Sequence, residues 1–331
     1  MKTNLVKQDK FGSLDYLEFT SIDLGKLSDD EILIEVYCCG ISFADILAAE
    51  GKYQDTPDLP FTPGLEVSGV VRQVGGNVKD FKAGDEVVAL SKWGGFSEEV
   101  RVNKNFVIKK LKEMPFDIAA CMTINYGTSY YALIERARIV ANDKVLILGA
   151  SGGIGLSGIE IAKAFDCHVT AVASSEDKLS MCKDYGADDL VLTRDDNLKE
   201  SMLKFKGKKF DVIYDTVGGS YTNDSLSFVE WEGKLLVMGF ASGDISSIQT
   251  NKILLKGCDI IGIFWGPFAR GNKNFNLDCL EGVSDLYNKG AIKLSKPSMF
   301  HVSDFLSPMT QIKERKSIGK LCLYTDSFKR R

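Results

Sequence analysis

No C-x-x-C pair occurs among the eight cysteines of this 331-residue chain, and only Cys38 and Cys39 are adjacent. The spacing of a zinc knuckle or a dithiol redox motif is therefore missing, and the thiols are expected to be reduced and mostly buried. Histidine is scarce too: His168, at the start of an expected strand, and His301, in the final segment, are the two occurrences, and both are read as structural. No window approaches the roughly 18 apolar residues needed to cross a bilayer. The opening MKTNLVKQDKFG lacks the apolar centre of a secretory signal, so a cytoplasmic location without a membrane span is expected. Positive charge is not in excess either. A net charge of −4 argues against nucleic acid or an anionic membrane as the main partner, and the basic end Lys329-Arg330-Arg331 reads as solvated. Internal repeats and low-complexity tracts are absent.

What is present is an ordinary globular composition, 44% hydrophobic and 26% charged. The length exceeds the roughly 250 to 300 residues at which single cores stop growing, so two domains are expected. The first third is β-rich, with apolar runs at Glu31 to Tyr37 and Glu66 to Val74 separated by turns such as Gly75-Gly76-Asn77 and Ala83-Gly84-Asp85. Near residue 125 the rhythm changes to apolar strands alternating with helical periods, the pattern of a helix-covered parallel sheet. Strands are expected at Lys144 to Leu148, His168 to Ala173, Leu190 to Thr193, Val212 to Asp215, Lys234 to Met238 and Asp259 to Ile263. A helix at about Asn276 to Asn288 and a closing strand at Gly319-Lys320-Leu321-Cys322-Leu323 follow, and that strand could return to the first domain.

The strand Lys144 to Leu148 runs into Gly149-Ala150-Ser151-Gly152-Gly153-Ile154-Gly155 and a helical period, an A-x-G-x-x-G turn in a strand-turn-helix setting. Backbone can approach a pyrophosphate only where side chains are missing, and helix N-terminal N–H groups then meet the negative charge. Ser151, Gly152, Gly153 and Ile154 are the candidate contacts. An NAD-preferring site has an acid about 20 residues further on to accept the ribose hydroxyls. This chain has Ala173-Ser174-Ser175-Glu176-Asp177-Lys178 instead. Ser174, Ser175 and Lys178 suit a 2′-phosphate, so NADPH is the expected cofactor. The plainer alternative is that a serine caps the next helix and Lys178 is solvated.

Several ordered segments carry a resemblance. They are Cys39-Gly40-Ile41-Ser42-Phe43-Ala44-Asp45, Pro63-Gly64-Leu65-Glu66-Val67-Ser68-Gly69, Lys82-Ala83-Gly84-Asp85-Glu86-Val87 and Tyr126-Gly127-Thr128-Ser129-Tyr130. With the glycine turn come Asp215-Thr216-Val217-Gly218-Gly219, Gly239-Phe240-Ala241-Ser242-Gly243 and Gly262-Ile263-Phe264-Trp265-Gly266. Over nearly its whole length the chain resembles the zinc-independent quinone oxidoreductases of the medium-chain dehydrogenase/reductase superfamily, the group that includes zeta-crystallin. It is more weakly similar, in Leu286-Tyr287-Asn288-Lys289-Gly290 and Ile318-Gly319-Lys320, to the synaptic vesicle amine-transport protein.

The resemblance implies an α/β chain: a GroES-like β-barrel catalytic domain from residues 1–124 and 266–331, and a Rossmann domain with a doubly wound parallel sheet from 125–265. It places the active-site cleft at their junction. A homodimer is also implied, compatible with edge-strand pairing around Asp259 to Ile263. Zinc-dependent members carry Cys and His where this chain has Ser42 and Leu65, and the four-cysteine lobe expected before Gly95-Phe96-Ser97 is missing, so no metal is expected.

By the same resemblance Ser42, Asp45 and Tyr53 line the cleft, Tyr53 donating to substrate oxygen because a phenol stays protonated at neutral pH. The alternatives are a helix-start cap for Asp45 and an amphipathic loop position for Tyr53. Ser42 stands where Asn is usual, which shortens its reach toward the nicotinamide. Thr128 would touch the nicotinamide, while Val217, Gly239, Phe240, Phe264 and Trp265 would border the cofactor. Phe264-Trp265 could equally be core or interface packing. Thr193, before Arg194, replaces a Tyr that many relatives place beside the 2′-phosphate. Without a Lewis acid to form an alkoxide, reduction of an electrophilic conjugated system fits better than alcohol oxidation. The expected reaction is hydride transfer from NADPH to a quinone. The alternatives are an enoyl or alkenal double-bond reductase, and a cofactor-binding structural or vesicle-associated protein with little turnover.

Overall fold

The computed structural model describes residues 2–193, 197–266, 273–294 and 296–330, with backbone alone for 273–277. Seven strands come first: β1 (Lys2–Gln8), β2 (Leu17–Asp23), β3 (Glu31–Ile41), β4 (Glu66–Val74), β5 (Glu86–Leu90), β6 (Glu99–Asn103) and β7 (Val107–Lys109). Six follow after residue 125: β8 (Lys144–Leu148), β9 (His168–Ala173), β10 (Asp189–Leu192), β11 (Phe210–Asp215), β12 (Val229–Val237) and β13 (Asp259–Gly262). β14 (Ser298–His301) and β15 (Leu321–Tyr324) close the chain. By contacts it divides into two units, Met1–Ile124 with Ala269–Leu277 and Ser295–Arg331, and Asn125–Phe268 with Asp278–Leu294.

In the first unit β1 and β2 pair as a hairpin, and the larger sheet runs β14-β15-β3-β4-β5-β7, with β6 also on β3. β3 is its backbone. One edge pairs with β6 through Glu31–Glu35 and then with β15 through Cys38–Ile41, while the other edge pairs with β4. Neighbours on both edges and burial along nearly its whole length explain why the strand reads as a continuous apolar run. The sequence pattern ended it at Tyr37, but it continues to Ile41. Gly40 is part of the ladder: a Cβ there would meet the Glu66 carboxylate and the Ala120 carbonyl. The closing strand, β15, does return to the first unit's sheet.

The second unit holds a six-stranded parallel sheet in the order β10-β9-β8-β11-β12-β13. β8 and β9 lie at the residues the pattern gave, and the other four are displaced by one or a few residues at their ends. Val145, Leu146, Ile147 and Leu148 are fully buried. The order runs outward from β8 to β10, then resumes on the other side of β8 with β11. Ligands of open α/β sheets bind at such a switch point, outside the carboxyl ends of the strands.

The helix expected near the C-terminus is Lys273–Asn288. The sequence reading assigned everything from residue 266 onward to the first domain, whereas Asp278–Leu294 clusters with the second unit. Cys279, Leu280 and Val283 are buried there, and Gly282 admits the Tyr130 ring, whose Cζ lies 2.5 Å from where a Cβ would sit. An amphipathic period announces a helix without saying which partner its apolar face covers.

Candidate functional site

After α1 (Phe43–Ala49), α2 (Phe116–Ala120) and α3 (Met122–Tyr130), β8 of the second unit ends at Leu148, and Gly149 turns the chain into α4 at Gly153–Ala164. Two of the four glycines here, Gly149 and Gly155, are required by the protein's own backbone, and a third, Gly153, faces a side chain. Gly149 has φ +70°, and a Cβ on it would lie 2.5 Å from Thr216 Oγ1. A Cβ on Gly155 would lie 2.5 Å from the Gly149 carbonyl oxygen, and one on Gly153 would lie 2.5 Å from Asn125 Nδ2. Gly152 differs: its φ is −76°, and the nearest atom to a Cβ would be the Gly149 carbonyl oxygen at an ordinary 3.5 Å. The fold does not demand glycine at 152. Its bareness leaves space at the helix N-terminus, and as N-cap it offers no side-chain acceptor to the first-turn N–H groups. Those donors and the helix dipole suit a phosphate.

A buried hydroxyl cluster fixes this turn. Ser129, in the helix Met122–Tyr130, lies 2.7 Å from Ser157 Oγ and 2.6 Å from the Tyr214 hydroxyl. Tyr214 donates to the Ile154 carbonyl at 3.2 Å, and Ser157 is placed to donate to the carbonyls of Ile154 at 3.0 Å and Asn125 at 3.1 Å. Burial holds the Tyr214 phenol above its ordinary pKa, so it stays a donor. Sequence reasoning missed Asn125, Ser157 and Tyr214. The one signal was serine on helix faces that are otherwise apolar. Thr128, beside Ser129, is half-buried.

After β9 the chain enters a helix at Glu176–Asp184, with Ser175 as N-cap accepting the Lys178 N–H at 3.4 Å. Lys178 Nζ donates to Ser174 Oγ at 3.3 Å. Ser174 and Lys178 are thus brought together, while Ser175 does the capping work. Thr193 is buried and donates its hydroxyl to the Ala173 carbonyl at 3.3 Å, at the end of the same strand. Arg194 lies outside the described residues.

Two loops meet beyond β11 and β12. Buried Asp215 accepts the N–H groups of Val217 at 2.9 Å and Gly218 at 3.0 Å and the Thr222 hydroxyl at 2.5 Å. Burial raises its carboxyl pKa against these donors. The N–H groups of Ala241 and Ser242 reach the carbonyls of Thr216 and Val217, so Gly239 and Phe240 sit on a loop tied to that turn. Trp265 is core, its ring 2.7 Å from where a Gly127 Cβ would be, whereas Phe264 is exposed.

In the first unit Ser42 starts a helix at Phe43–Ala49. Asp45 accepts the Ser42 N–H at 2.8 Å, the Ser42 hydroxyl at 3.0 Å and, through its other oxygen, the Gly64 N–H at 2.8 Å. Asp45 is therefore a helix-start cap that also ties the Gly64 loop to the helix. Tyr53 is half-buried and packs edge-on to Trp93, with ring centroids 5.9 Å apart. The donor set does not fit zinc: Ser42 gives its hydroxyl proton to Asp45, Leu65 has no ligating atom, and no group of three His, Cys, Asp or Glu among the described residues could hold a metal ion. Nearby, buried Glu66 pairs with Lys320 at 2.7 Å and accepts the Thr123 hydroxyl at 2.6 Å and the Ile124 N–H at 2.7 Å. Sequence reasoning gave neither charge a role.

Burial lifts the Asp45 carboxyl from 3.8 to about 6, against the lowering effect of the Ser42 and Gly64 donors and the Lys320 charge. The folded state then binds a proton the unfolded chain has released. The Asp45 contribution to stability is complete below 3.8 and is lost as pH rises through about 6. Urea unfolding of Asp45→Asn should show a flatter pH dependence in that window than the parent chain. An unchanged slope would contradict the assignment.

Residues 28–113 match the family model described as alcohol dehydrogenase GroES-like domain, and residues 153–277 the one described as zinc-binding dehydrogenase. Quinone oxidoreductase-like protein 2 of Rattus norvegicus is 32% identical over 299 residues, 90% of this chain and 85% of its own. The synaptic vesicle membrane protein VAT-1 homolog of Homo sapiens is 28% identical over 314 residues, 88% of this chain and 78% of its own. Among solved structures, Escherichia coli quinone oxidoreductase complexed with NADPH superposes with a TM-score of 0.89 at 24% identity, covering 97% of this chain and 99% of its own. At that identity the likeness speaks to the fold.

Proposed function

Since the chain belongs to the medium-chain dehydrogenase/reductase superfamily, we propose that it reduces small conjugated carbonyl compounds, quinones first among them, with NADPH and without zinc. The observation that carries this reading is the bare N-terminus of α4 at Gly152, a cradle that the fold leaves open at the switch point of the sheet. When bound, the nicotinamide supplies hydride to the electrophilic carbon of the acceptor. Main-chain N–H groups of Gly153 and Ile154 hold the diphosphate, with Ser151 and Gly152 shaping its approach. Ser174 and Lys178 bind the 2′-phosphate, because no acid stands at the end of β9 to repel it. Thr128, Val217, Gly239 and Phe240 border the rest of the cofactor.

Ser42, held by Asp45, and Tyr53 are the residues assigned to the substrate in this reading, with Tyr53 the donor to the oxygen that gains negative charge. With Ser42 and Leu65 in place of metal ligands, the chain depends on an acceptor that is already electrophilic. Mixing the protein and NADPH with benzoquinones, enones and 2-alkenals, and following nicotinamide absorbance, is the test. Turnover fastest with quinones supports the proposal. Preference for alkenals or enones would make the chain a double-bond reductase. Tight NADPH binding with no acceptor consumed would favour the non-enzymatic reading that the likeness to the vesicle membrane protein keeps open.

Lys178→Ala should raise the KM for NADPH about tenfold or more, the loss of one charge-assisted hydrogen bond. The KM for NADH should change little, and equal effects on both would remove the phosphate role. A homodimer through the sheet edge at β13 is part of the proposal. Trp231, Leu254 and Leu255 on the same unit are 66%, 78% and 75% exposed, and a dimer would cover apolar surface of this kind. Light scattering that returned the mass of a single chain would count against it. No helix among the described residues is long and apolar enough to cross a membrane. A cytoplasmic location is proposed and is open to cell fractionation.

A further inference from the structure

Gly153 has a neighbour that the glycine motif does not contain. A Cβ there would lie 2.5 Å from Asn125 Nδ2, so the amide of Asn125 sits directly against the first residue of α4. Asn125 is 4% exposed, its side-chain amide has no hydrogen-bond partner among the described residues, and its main-chain carbonyl accepts from Ser157. The amide therefore has donors to spare for a ligand at the helix start. Its direction matters as well. An oxygen turned toward the helix N-terminus would cap the free N–H groups, as Asn does at an N-cap. Here the NH2 is the nearer end, since Oδ1 lies 3.3 Å from the same point. It adds a donor where donors and the positive end of the helix dipole already converge. An anion seated there would meet all of these donors.

We infer that Asn125 is a further ligand of the dinucleotide, its amide donating to a diphosphate oxygen beside the first turn of α4. This rests on the reading that the α4 N-terminus takes a dinucleotide. The main chain that carries the amide is positioned in advance. Ser157 holds the Asn125 carbonyl at 3.1 Å, Ser129 holds Ser157 at 2.7 Å, and Tyr214 ties Ser129 to the Ile154 carbonyl. A donor carried on a fixed backbone loses less freedom when the ligand arrives.

Calorimetric titration of the full chain with NADPH and with NADH, for the parent and for Asn125→Leu and Asn125→Asp, tests the assignment. Both nucleotides contain the diphosphate. Asn125→Leu, of similar volume and without the unpaired amide, should melt at the same temperature or higher yet bind both nucleotides about five- to tenfold more weakly. Asn125→Asp should weaken both by a larger factor, because a carboxylate would face the phosphates. Equal loss for NADPH and NADH separates this residue from Lys178, whose removal is selective. Nucleotide binding by the parent with unchanged affinity in Asn125→Leu and Asn125→Asp overturns this inference alone. A lower melting temperature of Asn125→Leu with unaltered affinity assigns the residue to packing and likewise overturns it. Failure of the parent to bind either nucleotide overturns the inference together with the reading it rests on.

Discussion

Lys320→Met is expected to lower the free energy of unfolding by about 3–5 kcal/mol, the usual cost of removing one member of a buried ion pair. Lys320 Nζ lies 2.7 Å from Glu66 Oε1, and the two side chains are 3% and 0% exposed. The second Glu66 oxygen is already occupied by the Thr123 hydroxyl and the Ile124 N–H. The charge left behind would be buried, and β3 packs closely on it: a Cβ at Gly40 would meet Glu66 Oε1. Replacing both partners, as Glu66→Gln with Lys320→Met, should recover most of the loss, because the pair's desolvation penalty disappears along with its attraction. Urea unfolding at neutral pH is the measurement. A single mutant as stable as the parent would mean that the pair contributes nothing. The Lys320 charge also lowers the Asp45 pKa, so the same substitution should move the Asp45 titration further up.

Gly152→Asp is expected to act in opposite directions on stability and on binding. The φ of −76° is one any residue adopts, and the 3.5 Å clearance leaves room for a side chain. A carboxylate there becomes the N-cap that α4 lacks, accepting first-turn N–H groups and adding about 1 kcal/mol to stability. It also fills the phosphate cradle with negative charge. At about 4 Å and an effective dielectric near 20 the repulsion is about 4 kcal/mol, so NADPH affinity should fall about a hundred- to thousandfold. Thermal melting and nucleotide titration of the same preparation read both effects. Affinity within about threefold of the parent would remove the diphosphate from this turn, and with it the proposed function.

The strands and the glycine turn were legible in the sequence because their signals are local. β8 is a run of apolar residues, the turn is a string of small ones, and both can be read within a dozen positions. The serine-lysine pairing after β9 was legible for the same reason, since Ser174 and Lys178 are one helical turn apart. The division of labour within that segment was not: Ser175 caps the helix while Ser174 meets Lys178. Asp45 read equally well as cap or as catalytic group, and the hydrogen bonds to Ser42 and Gly64 make it a cap and a tie between loops. The helix Lys273–Asn288 was recognised, but the unit it packs on was not.

By itself the sequence determined that this chain builds a β-rich unit followed by a parallel-sheet unit, that its sheet leads into a side-chain-free helix start, and that positions 42 and 65 hold Ser and Leu. These follow from periodicity and from residue types at fixed spacing, which survive in one dimension. Tertiary structure alone decided that Glu66 would meet Lys320, that Ser129, Ser157 and Tyr214 would share protons, and that Asn125 would lie unpaired against Gly153. Contacts between residues far apart in the chain depend on strand order, register and burial. A buried polar group acquires its meaning from the atoms around it, and no local pattern encodes those.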